Sequence, residues 1–173
     1  MKIEKIILAA AVAFGANFYA QAADQGQGKV TFKGSIIDAP CSISSKTANQ
    51  EVDLGSISNV ALKNSGKSKA VDFSIDLEQC DFPTSKTVKA TFTGASSTVN
   101  TSLLGITGTA SGAGVVITYG GKPVKLGQAT TAQTLNPGNN TLHFAAYLQG
   151  EGASAAIVPG DFTAVADFTL AYQ

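Results

Sequence analysis

His143 is the single histidine of the 173-residue sequence, so a catalytic triad or a copper or zinc centre would have to be built around one imidazole. A triad needs that imidazole beside an activated nucleophile, and no Gly-x-Ser-x-Gly elbow accompanies it. His143 falls on the polar phase of the run Leu142, Phe144, Ala146, Leu148, where a surface histidine sits. Asp76 and Glu78 stand two residues apart, which on a strand puts them on one solvated face rather than in an acid–base pair. The pairs Gly26/Gly28 and Gly112/Gly114 lack the spacing and the following helix of a phosphate-binding loop. No catalytic residue, metal ligand or cofactor is therefore expected. All 12 basic residues are lysines, balanced by 12 carboxylates. Without arginine the chain lacks the side chain that best forks onto phosphate or guanine, and nucleic acid is not an expected partner. Lys63, Lys67 and Lys69, set among Ser, Asn and Gly, read as a solvated loop.

The remaining reactive pair is Cys41 and Cys80, and its chemistry depends on compartment. Residues 1–22 carry Lys2 and Lys5, an apolar stretch from Ile6 to Phe18, and Ala20-Gln21-Ala22 ahead of Ala23. This is a secretory signal peptide, with an apolar core too short to span a bilayer. The mature chain from residue 23 is expected to be soluble and to form one domain. In an exported protein an even cysteine count most simply pairs, and closing a loop of about forty residues removes chain entropy worth about 4 kcal/mol. A two-cysteine metal site would need further ligands, for which only His143 is at hand.

The elements that position these residues are strands. Val71, Phe73, Ile75 and Leu77 alternate with polar residues and deliver Cys80 at the end of the run, and Val88, Ala90 and Phe92 repeat the pattern between Lys86 and Gly94. Val115–Tyr119 is β-branched and aromatic, and Gly120-Gly121 is a hairpin signal before Lys122–Lys125. Leu142, Phe144, Ala146 and Leu148 follow the turn Asn136-Pro137-Gly138-Asn139. The segment 35–44 is expected to be the first strand of the domain, and residues 94–114 a long loop with a short strand or turn near Leu103–Ile106. Sustained helical periodicity is absent after the signal peptide. The fold class is all-β, a sandwich.

Two further runs have the same period. From Asp161 to Gln173 the even positions Phe162, Ala164, Ala166, Phe168, Leu170 and Tyr172 are all apolar, so the sequence ends on a strand with an inner face and no later segment to pair with its edge. Near the other end Gly28, Val30, Phe32, Gly34 and Ile36 alternate with Lys29, Thr31, Lys33 and Ser35. One strand lacks a neighbour, and another lacks a home.

Taken in order, three features resemble the pilin subunits of chaperone-usher fimbriae, in particular major rod subunits of the type 1 and P pilus kind. Gly26-Gln27-Gly28-Lys29-Val30-Thr31-Phe32-Lys33-Gly34 leads to Asp38-Ala39-Pro40-Cys41-Ser42-Ile43; Leu77-Glu78-Gln79-Cys80 matches the second cysteine's setting; Gly160 stands fourteenth from the end and Tyr172 is penultimate. The resemblance implies an incomplete immunoglobulin-like sandwich lacking its seventh strand, with residues 23–36 as a donor extension and 37–173 as the pilin domain. A periplasmic chaperone lends a strand to the open groove, and an outer-membrane usher exchanges it for the extension of the next identical or homologous subunit. By the same resemblance Gly28, Val30, Phe32, Gly34 and Ile36 form the donor strand, with Gly34 suited to a shallow pocket. Phe162, Ala164, Ala166, Phe168, Leu170 and Tyr172 line or flank the acceptor groove and meet the chaperone.

The function expected is that of a non-enzymatic structural subunit, exported through the periplasm to a cell-surface fimbria and supporting adhesion to a host receptor that the sequence does not identify. The alternatives are a minor adaptor or adhesive subunit with a ligand-binding surface and, less in keeping with the lone histidine, a small secreted sandwich hydrolase.

Overall fold

The computed structural model describes residues 28–84 and 86–173. The signal peptide expected at 1–22 lies outside the described residues. The chain divides into two units at Ile36/Ile37, and each is considered by itself.

The unit Ile37–Gln173 is all-β. Its strands are β1 (Ser42–Ile43), β2 (Val71–Cys80), β3 (Thr87–Thr93), β4 (Leu104–Gly105), β5 (Thr107–Gly108), β6 (Ala113–Tyr119), β7 (Lys122–Pro123), β8 (Gln133–Thr134), β9 (Gly138–Gly150), β10 (Phe162–Thr163) and β11 (Asp167–Tyr172). One sheet runs β1-β2-β9-β6-β4 with β7 hairpinned onto β6, a second runs β11-β3-β8, and β10 pairs with β5. Every pairing is antiparallel.

The period-two pattern builds the core between the sheets. On β9 the even residues Leu142, Phe144, Ala146 and Leu148 are buried and His143 is exposed. They meet Ile75 and Phe73 on β2 and Ile117 and Val115 on β6. From the facing sheet come Val88, Ala90 and Phe92. Phe92 meets Phe144 edge-on with centroids 5.0 Å apart, and Phe73 stacks on Phe144 at 5.4 Å, geometries that add to the area they bury. β6 is buried on both faces: on its outer side Val116 packs with Leu103 and Tyr147, and the Lys67 ammonium lies 5.3 Å from the Tyr147 ring centroid. At the β6–β7 turn Gly120 and Gly121 both have positive φ, 57° and 75°, as a tight two-residue hairpin requires.

Cys41 and Cys80 are disulfide-bonded and buried. Strict alternation from Leu77 would have turned Cys80 outward. A bulge between Leu77 and Cys80, with Gln79 at φ 54°, shifts the parity and turns the cysteine back inside.

Two local expectations need correction. Of the segment 35–44 only Ser42–Ile43 is strand, pairing with Glu78 and Leu77; Pro40 has no N–H to donate, and the chain turns into a short helix at Ser45–Ala48. Outside the strands a 3-10 segment, Asn59–Ser65, is kinked at Lys63 and Asn64. The C-terminal run is two strands, not one, because it changes partners: β11 pairs with β3, which ends at Thr93, and β10 pairs with β5. At the change the Val165 carbonyl comes so close to Gly94 that a Cβ there would sit 2.7 Å from it.

Candidate functional site

The C-terminal run keeps one phase despite the break. Phe162, Ala164, Ala166, Phe168, Leu170 and Tyr172 are each half-buried, and the odd residues between them are exposed. An inward face that never becomes fully buried is a face missing a cover.

The backbone shows where the cover is missing. Gln173 and Thr87 exchange both backbone hydrogen bonds, each 2.9 Å. In an antiparallel ladder such pairs alternate with pairs whose N–H and C=O groups point away. Counting back along the β11–β3 register, Ala171, Thr169 and Asp167 bond to β3, whereas Tyr172, Leu170 and Phe168 turn their backbone groups to the opposite side. β11 is an edge strand among the described residues. β10 keeps the parity, since the Asp161 carbonyl accepts from Thr109 N–H at 3.0 Å, placing Phe162 in the outward-turned phase. The same even residues therefore direct apolar side chains inward and backbone groups to an open edge.

Beside that edge lies a groove of about 1410 Å³. Its floor is core: Phe73, Ile75, Val115, Ile117, Ala146 and Leu148 all reach it. One lip carries Phe162, Ala164, Ala166 and Phe168. Leu170 and Tyr172 fall beyond the lining and pack against the main core. Small-molecule pockets typically occupy about 300–1,000 Å³. A groove of this size, apolar and flanked by unpaired backbone, suits a polypeptide strand.

The other lip is the segment 47–59, which the sequence reading left unassigned. There Glu51 and Asp53 are exposed while Val52 and Leu54 are half-buried. Leu54 and Ile57 pack against the cluster of Leu62, Leu104, Val115 and Leu148. The alternation Glu51-Val52-Asp53-Leu54 was the available signal, too short to stand out among longer strands.

The unit that ends at Ile36 presents the complementary pattern. Residues 28–36 carry no assigned strand and are all exposed, with Phe32 at 90% and Ile36 at 104%. Gly28 and Gly34 have no atom within 4 Å of where a Cβ would stand.

A second hollow, of about 870 Å³, lies against residues 95–99 and 151–156. Its buried Ser97 hydroxyl already donates to Glu151 Oε1 at 2.5 Å and accepts from the Val99 and Asn100 N–H groups at 3.1 Å. His143 stands apart from both hollows, opposite Ser74. Burial raises the phenols of Tyr172 and Tyr119 above their ordinary value of 10.0. Tyr119 donates to Gln133 Oε1 at 3.0 Å, whereas the buried Tyr172 hydroxyl has no partner among the described residues.

Comparison with known proteins fits this geometry. The sequence profile of the Fimbrial protein family matches residues 30–173. The chain is 66% identical to Fimbria A protein of Serratia marcescens over all of both chains, and 41% identical to the Pap fimbrial major pilin protein of Escherichia coli, covering 95% and 94% of the two. Among solved structures it is similar to the P pilus rod subunit PapA, with TM-score 0.71 and 36% identity over 78% of this chain and 100% of that one. It is also similar to a subunit of a chaperone-usher pilus, with TM-score 0.77 and 39% identity over 89% and 100%. These relatives share its immunoglobulin-like sandwich. With the family profile spanning the whole of the sandwich, the chain belongs to the Fimbrial protein family and is a structural subunit of a surface pilus.

Proposed function

We propose that this subunit polymerises by strand donation: the groove beside β10 and β11 receives residues 28–36 of another copy, with Val30, Phe32 and Ile36 pointing down and Lys29, Thr31, Lys33 and Ser35 pointing out. One observation carries the reading. Phe162, Phe168, Leu170 and Tyr172 combine half-covered apolar side chains that face inward with backbone groups that turn to the open edge. Burying an exposed Val, Phe or Ile side chain contributes about 1.5–3 kcal/mol, and each net backbone hydrogen bond about 1 kcal/mol.

An uncovered apolar groove is an aggregation hazard in transit. A periplasmic chaperone lending a strand after removal of residues 1–22, and an outer-membrane usher exchanging that strand for the donor extension, meet this requirement. The role is mechanical, without catalysis.

The test expresses the mature chain with and without residues 23–35 beside a matching chaperone and usher, and looks for high-mass species that survive detergent until heated. A ladder that depends on the extension is expected; identical behaviour of the two chains rules the reading out. Gly34→Asn adds a second arm. A Cβ at position 34 would have no atom within 4 Å, so the substitution is expected to leave chaperone capture intact and slow subunit joining.

A further inference from the structure

The groove is apolar at its floor and single-signed at its rim. Its charged lining residues are Glu51 and Asp53 on one lip and Asp161 and Asp167 on the other; no lysine is among them. All four carboxylates are exposed. Lys89, which reaches the neighbourhood of β11 opposite Ala171, lies past Phe168, where the lining ends. Residues 28–36 have the reverse character, with Lys29 and Lys33 and no carboxylate.

We infer that the acidic rim is an electrostatic selector for the lysine-bearing extension of a second copy, drawing it to the groove and setting the rate at which it enters. The inference rests on the strand-donation reading. A strand lying in the groove with Val30 and Phe32 down must turn Lys29 and Lys33 up, onto the face where the carboxylates of both lips stand. Neighbouring strands bring facing side chains within about 4.5–5.5 Å.

The spacing decides what kind of effect this is. Lys29 and Lys33 are four residues apart, about 13 Å on an extended chain, whereas Asp161 and Asp167 are six residues apart, on either side of the break between β10 and β11. No register pairs both lysines with both carboxylates of that lip, so the rim acts as a field rather than as a set of fitted ion pairs. Exposed ion pairs add little affinity and are screened over about 8 Å at physiological salt. A cleft lined by one sign of charge instead raises the frequency of productive encounter. The rim should therefore appear in the association rate and in its dependence on salt.

The test uses the full mature chain held by its chaperone and a fluorescent peptide of residues 28–36, with insertion followed at 20 and 500 mM NaCl. For the natural peptide the rate is expected to fall by about tenfold across that range. A peptide carrying Lys29→Gln and Lys33→Gln should enter more slowly at low salt, with less than about a twofold change on adding salt. Replacing Glu51→Gln, Asp53→Asn, Asp161→Asn and Asp167→Asn in the subunit should flatten the natural peptide's salt dependence in the same way. Should that variant fail to fold, the two peptides against the unaltered subunit decide the matter. Equal rates and equal salt slopes for the two peptides overturn the selector and leave strand donation standing. Entry of neither peptide overturns both.

Discussion

β9 and β11 are written in the same alternating code and reach different depths. On β9, Leu142 and Phe144 are 2% and 3% exposed, because β2 and β6 flank the strand and the facing sheet covers it. On β11, Phe168, Leu170 and Tyr172 stay half-buried, because β3 is the one strand bonded to it among the described residues. Alternation assigns a side chain to a face; the number of neighbouring strands decides how dry that face becomes. The even residues of β11 belong to a core in composition and to a surface in exposure, which is the character of an interface awaiting its partner.

The sharpest way to break this contrast is to damage the complete side. Phe144→Ala removes the centre of the cluster with Phe73, Phe92 and Tyr119, and is expected to cost about 3–5 kcal/mol. Urea denaturation should show the loss equally in chaperone-held and polymerised subunit. A cost below about 1 kcal/mol, in the range of a surface substitution, would deny that this cluster is the core.

Damage on the unfinished side should behave differently. Phe32→Ala removes a side chain that is 90% exposed, so the fold of its own subunit should be unchanged. The joint between subunits should weaken by about 1.5–3 kcal/mol, seen as a lower temperature for dissociation of the detergent-resistant polymer. Equal effects on fold and joint would erase the distinction between the two regions.

The smallest effect is expected where they meet. The Tyr172 hydroxyl is buried without a partner among the described residues; Tyr172→Phe removes only that group, and folding should change by less than about 1 kcal/mol. Burial holds the Tyr172 phenol above 10.0 by disfavouring its ionised form. The unfolded chain therefore releases this proton first as pH rises. The residue's contribution is intact below pH 10 and is lost as pH climbs through the raised folded-state value. A stability profile from pH 8 to 11.5 should fall less steeply in the Phe variant, leaving the part due to Tyr119.

Much of this was legible in the amino-acid order, for reasons that differ by element. The strands β2, β3, β9 and β11 declared themselves because a face is recorded at every second residue. The partner change between β10 and β11 was hidden, because Ala164 and Ala166 continue the alternation across it while the cause, the end of β3 beside Gly94, lies some seventy residues away. The bulge at Gln79 was equally silent: nothing in Leu77-Glu78-Gln79-Cys80 marks the parity change that puts Cys80 beside Cys41. The lip at Glu51–Leu54 was missed because its four alternating residues are no longer than chance patterns elsewhere.

On the strand-donation reading, the coincidence of side-chain phase and backbone phase on β10 and β11 has a consequence for fidelity. A guest segment displaced by a single residue would still find hydrogen-bonding groups, but would press Lys29 and Lys33 onto the apolar floor and hold Phe32 out in water. Displacement by two residues would keep the correct face down and leave one apolar side chain without its place in the groove. Odd errors are thus rejected by the chemistry of the floor, and the even ones that remain differ by whole side chains, a coarse ruler that a short segment can read unaided.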